Sequence, residues 1–65
     1  ENKEEIMGFF PSLHLNLGKS FEDLRRIEEA TKHYVLAQKY IPYLTEEGYG
    51  DMIRKGIQAA LERVS

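Results

Sequence analysis

Two histidines, His14 and His33, and adjacent carboxylates such as Glu22–Asp23 and Glu46–Glu47 are residues that could do acid–base work or hold a metal. A zinc site needs three or four His, Cys or carboxylate groups converging on one point. The chain has no cysteine and no H-E-x-x-H pattern. A hydrolytic carboxylate pair must face a common space at a defined separation, whereas adjacent helical residues point about 100° apart. There is no nucleophile elbow, phosphate loop or dinucleotide glycine pattern. His14 is therefore expected to be a part-buried, hydrogen-bonded histidine and His33 a surface partner of Glu29. Both carboxylate pairs are expected to be solvated. No catalytic, cofactor-binding or metal-binding residue is assigned, and the chain is read as non-enzymatic.

The pattern that must position these residues runs from Leu13 to Pro42. It reads L-x3-L-G-x2-F-x8-A-x3-Y-x2-A-x4-P, with Leu13, Leu17, Gly18, Phe21, Ala30, Tyr34, Ala37 and Pro42 in the fixed places. The spacing resembles a tetratricopeptide repeat, with His14 standing where that family usually has Trp. The resemblance covers about the middle half of the chain. It implies an all-α fold, a TPR-like antiparallel helix pair followed by a third, capping helix, together a fragment of a right-handed superhelix. Gly18 would let the second helix pack tightly, Ala30 and Ala37 would face the first helix, and Tyr34 would wedge between turns. The implied role is protein recognition.

The residues taken by themselves give compatible elements. Leu13, Leu17, Phe21 and Leu24 recur at i, i+4, i+8 and i+11, which predicts a helix over 12–24 with that stripe as its apolar face. Gly18 inside it costs about 1 kcal/mol relative to Ala, which points to close approach of another backbone. Arg25 and Arg26 fall at the joint, where the family commonly has Gly. Arg25 must turn left-handed at a cost of about 1 kcal/mol, or the turn takes another form. Ile27, Ala30, Tyr34, Ala37 and Ile41 predict a second helix over 27–41 that Pro42 stops. Glu28–Lys32 and Glu29–His33 are spaced as i,i+4 pairs on it. Gly48-Tyr49-Gly50 is expected to be the flexible point of a connector, and Asp51 the N-cap of a third helix over 51–64. Ile53, Gly56, Ile57, Ala60, Leu61 and Val64 form that helix's apolar face. The chain thus divides into residues 1–10, a lead-in or the tail of a preceding helix, the repeat over 11–44, and the connector and closing helix over 45–65.

Sixty-five residues make one domain at most, and a chain this short hides a modest share of its surface. The net charge of −2 with 31% charged residues argues against a nucleic-acid partner, for which a basic face is expected. A DNA-binding helix-turn-helix using Arg25, Arg26, Lys32 and Lys39 is the remote alternative. Glu28 and Glu29 would there repel the groove at the start of the recognition helix. No apolar run reaches membrane-spanning length, and Met7–Phe10 is too short for a signal core. Cytoplasmic is the default location. The chain starts with Glu1 rather than Met, and it is read as a piece of a longer repeat protein.

The expected partner is a protein or peptide. The resemblance implies that the first helix lines a concave face, with Ser12, Leu15, Asn16, Lys19, Glu22 and Asp23 as the candidate partner-binding residues. Some members grip a C-terminal carboxylate with Lys and Asn side chains from consecutive repeats. Asn16, just before Leu17-Gly18, matches one such Asn, and Lys19 is nearby. The adjacent Phe9 and Phe10 either pack on this chain's own helices or form a seam to an upstream repeat or a second subunit. Because one repeat does not usually bury its own apolar faces, the rival reading is a structural, dimerising segment with Phe9, Phe10 and Leu15 in the seam.

Overall fold

The computed structural model describes residues 3–45 and 47–65, Glu4 by its backbone alone. Among them every regular element is helical: α1 (Lys3–Met7), α2 (Phe10–Asp23), α3 (Ile27–Lys39), a 3₁₀ turn (Ile41–Tyr43) and α4 (Glu47–Val64). Glu1 and Asn2 of the lead-in, and Glu46 of the second carboxylate pair, lie outside the described residues.

Helix α2 starts at Phe10, two residues before the expected boundary of 12, because Pro11 sits in its first turn. A proline there gives up an N–H that has no helical acceptor, and its fixed φ already suits a helix. Ser12 Oγ donates to the Phe9 carbonyl at 3.3 Å across the start of the helix.

The joint between α2 and α3 is a Schellman turn. The Arg26 N–H reaches back to the Phe21 carbonyl at 2.8 Å, and the Arg25 N–H to the Glu22 carbonyl at 2.9 Å. The motif requires a left-handed residue after the last helical positions, and Arg25 takes it with φ of 65°. Where the motif usually adds an apolar contact, the Arg26 guanidinium lies over the Phe21 ring, 5.6 Å from its centroid.

Helix α3 ends at Lys39 rather than Ile41. Pro42 has no N–H to continue the α-helical ladder, and the chain tightens into the 3₁₀ turn, with the Tyr43 N–H on the Tyr40 carbonyl at 3.0 Å. Helix α4 differs more from expectation. It begins at Glu47, so Gly48, Tyr49 and Gly50 are helical, and Asp51 is an interior residue bonded to Arg54 at 3.0 Å rather than a cap. The reason lies in its buried face, which runs Gly50, Ile53, Ile57 and Ala60. Gly50 continues the stripe of the isoleucines one turn further back, and tertiary packing overrides the weak helix propensity of two glycines.

Helices α2 and α3 run antiparallel, Phe10 beside Tyr40 at one end and Gly18 beside Tyr34 further along. Helix α4 lies against both. The core is Leu15 from α2, Ala30, Tyr34 and Ala37 from α3, and Ile53, Ile57 and Ala60 from α4. Ala30, Tyr34 and Ala37 are fully buried. Of the small residues, Gly18 lies against the Tyr34 ring, and Ala30 and Ala37 are buried in the core shared by the three helices.

The apolar face of α2 is a correction. Its buried residues are Pro11, Leu15 and Gly18. Of the expected core stripe Phe21 packs against the core, while Leu13, Leu17 and Leu24 are 47%, 37% and 66% exposed. Periodicity identifies an apolar face but not what covers it, and here α3 and α4 sit on the opposite side of α2.

Candidate partner surface and the histidine seam

The six candidate partner-binding residues divide between two faces of α2. Ser12, Asn16, Lys19 and Asp23 recur at i, i+4, i+7 and i+11, one row along the helix. Asn16, Lys19 and Asp23 are exposed and Ser12 is partly so. Leu15, expected on the open face, is instead 5% exposed and belongs to the core. Its Cδ2 would stand 3.1 Å from a β-carbon at Gly56, so the close approach of α4 covers it.

Glu22 is likewise drawn inward. Its Oε1 accepts the Tyr34 hydroxyl at 2.6 Å, and its two oxygens accept Nη2 and Nε of Arg63 at 3.1 and 3.0 Å. One carboxylate from the last turn of α2 thereby ties the buried tyrosine of α3 to the final turn of α4. The Arg63 and Tyr34 hydrogen bonds hold the Glu22 carboxyl below the usual carboxylate range. Burial, and then the Glu22 hydrogen bond, push the Tyr34 phenol up to about 12. The bidentate fork to Glu22 raises Arg63 in turn. This arrangement fastens three helices and engages both Glu22 oxygens.

Beside the polar row stands the exposed stripe of Leu13, Leu17 and Leu24. Phe9 extends it one turn toward the N-terminus and is 70% exposed. The two phenylalanines behave differently. Phe10 is half-buried, edge-on to Tyr40 at 4.9 Å and to His14 at 5.9 Å between ring centroids. Of the proposed subunit seam, Phe9 is the open member and Phe10 is largely occupied by its own chain.

On the other flank of α2, His14 and His33 meet across the helix seam with Nδ1 atoms 3.0 Å apart. His33 also stacks on Phe21, centroids 5.2 Å apart and planes at 9°. This replaces the expected His33–Glu29 pair, because Glu29 binds Arg26 at 2.8 Å instead. Burial, then the neighbouring His33, lower the basicity of His14. Sequence spacing does not reveal the contact, since the two side chains span a turn of helix to reach each other. The signal was the antiparallel register itself, which sets the α2 flank of Phe10, His14 and Phe21 beside the α3 flank of His33 and Tyr40.

Among the described residues no three His, Cys, Asp or Glu side chains come together as a metal-binding group. Every buried side-chain nitrogen or oxygen among them has a hydrogen-bond partner. No helix among them is long and apolar enough to cross a membrane. No family model matches the chain, and no curated protein or solved structure matches it either.

Proposed function

We propose that this chain is a non-catalytic protein-interaction module of the tetratricopeptide type, a piece of a longer repeat array, binding a peptide or helix along the outer face of α2. One observation carries the reading: α2 directs Leu13, Leu17 and Leu24 away from its own core, beside an open row of Ser12, Asn16, Lys19 and Asp23. An apolar stripe edged by polar residues is how interaction surfaces differ from ordinary ones. The helix pair closed by small residues, with α4 laid across it, supports the family reading. In such arrays each helix pair leaves a face for the next unit and an extended surface for ligand.

A peptide-display selection on the immobilised chain tests the reading. Enriched peptides are expected to lose at least about tenfold in affinity, roughly 1.4 kcal/mol, when Leu17→Lys or the pair Asn16→Ala and Lys19→Ala is introduced. Peptides indifferent to those changes, or none enriched, would count against this face.

A second reading is favoured by Phe9, whose exposed ring is continuous with the leucine stripe. Here the same face joins two copies. Light scattering across a concentration series separates the two, since a concentration-independent monomer rules out the dimerising role.

A further inference from the structure

The His14–His33 contact has a geometry that limits how many protons it can carry. The ring planes are 21° apart, the centroids 5.2 Å and the Nδ1 atoms 3.0 Å. The difference between those two distances is what two imidazole radii laid end to end account for. The rings therefore meet edge to edge, nitrogen to nitrogen and nearly coplanar, rather than face to face. Such a contact is an N–H···N hydrogen bond, with one Nδ1 donating and the other accepting.

The consequence follows by counting protons. In the neutral pair the donor carries its proton on Nδ1 and the acceptor carries its own on Nε2. A first added proton goes to the donor's free Nε2 and strengthens the bond by charging the donor. A second must take the acceptor's Nδ1 lone pair. That removes the bond and sets two N–H groups and two positive charges against each other in a half-buried seam.

The surroundings offer little relief. Within one turn of His14 on α2 stand Phe10, Pro11, Leu17 and Gly18, none of them charged. From α3, Glu29 is committed to Arg26, whose guanidinium lies over the Phe21 ring that stacks on His33. At the far end of the seam Lys39 lies over the Tyr40 ring. From α4, Arg63 is committed to Glu22.

We propose that His14 and His33 form a proton-operated latch between α2 and α3, closed while the pair holds at most one added proton and opened by the second. Opening it separates the aromatic seam of Phe10, His14, His33 and Phe21. The sign follows from the second proton: well below about pH 6.5 two free imidazoles hold two protons and the closed pair holds one, so stability falls as pH drops below that value.

The test is imidazole ¹⁵N NMR of the intact chain from pH 8 to 4.5, together with urea midpoints over the same range. The latch predicts two macroscopic titration steps separated by at least about one pH unit, and a urea midpoint that falls between about pH 6.5 and 5. In His14→Phe or His33→Phe, which keep an aromatic ring in the seam, that fall should vanish and the remaining histidine titrate singly. Two coincident steps near 6.5 in the unsubstituted chain would overturn the proposal, whether or not the variants fold. So would a midpoint falling equally in the unsubstituted chain and the variants.

Discussion

The Tyr34 ring occupies the space that a side chain at Gly18 would need: its Cδ1 and Cζ atoms stand 2.6 and 2.9 Å from where a β-carbon would lie, and Cε1 is closer still. The ring cannot swing aside, because it is fully buried and its hydroxyl is bound to Glu22. Alanine at 18 gains about 1 kcal/mol of helix propensity, but overpacking a fixed core costs about 1–3 kcal/mol. Gly18→Ala should therefore destabilise by up to about 2 kcal/mol net, read from a chemical denaturation midpoint. A raised midpoint would show that the Tyr34 ring is not packed against this position.

Gly48 supplies the contrast. A β-carbon there meets nothing within 4 Å, and the residue is helical and exposed. Gly48→Ala should stabilise by a few tenths to about 1 kcal/mol, the opposite sign to Gly18→Ala in the same assay.

Arg25 holds the left-handed place of the Schellman turn with φ of 65°. A glycine there removes the steric cost of about 1–2 kcal/mol and gives part of it back as unfolded-chain entropy. Arg25→Gly should stabilise by about 0.5–1 kcal/mol, and Arg25→Val should destabilise. Thermal unfolding of the two variants beside the parent checks the order.

Glu22 and Arg63 illustrate an asymmetric pair. Arg63 is about half exposed, with side-chain exposure of 47%, so removing it returns Glu22 to water at a cost within about 1 kcal/mol. Removing Glu22 strands the buried Tyr34 hydroxyl, at about 1–3 kcal/mol. Glu22→Ala should therefore cost more than Arg63→Ala. If Tyr34→Phe is introduced first, most of the Glu22→Ala penalty should disappear, which a double-mutant cycle measures directly.

The Tyr34 phenol gives a signature at high pH. Its ionisation is pushed from 10.0 to about 12 in the folded chain, so the folded state keeps a proton that the unfolded state loses. The resulting stability is fully present below about pH 10 and is lost as pH rises toward about 12. Unfolding midpoints should fall over that window in the unsubstituted chain and fall less in Tyr34→Phe.

Much of the helix pairing was legible in residue types. Gly18 is small because the Tyr34 ring, rather than another backbone, fills the space beside it, Ala30 and Ala37 are small within the core, and Arg25 is the strained turn. The rest escaped for identifiable physical reasons. Leu13, Leu17 and Leu24 show apolar periodicity, but spacing does not say whether the chain's own core or another surface covers them. Gly48 and Gly50 looked like breakers because propensity ignores the face that Gly50 shares with Ile53 and Ile57. The Tyr34–Glu22–Arg63 tie and the His14–His33 contact depend on how helices are laid together, which no local pattern records. Leu15 passed for a surface residue because α4, which covers it, belongs to a distant part of the chain.

The central functional claim is that the outer face of α2 receives a partner. Backbone amide NMR of the isotope-labelled chain, titrated with a display-selected peptide, tests it most directly. The account predicts that the largest shift changes fall on Phe9, Leu13, Asn16, Leu17, Lys19, Ser20 and Leu24. Changes concentrated instead on the exposed side of α4, at Met52, Lys55 and Ala59, with α2 unmoved, would contradict it.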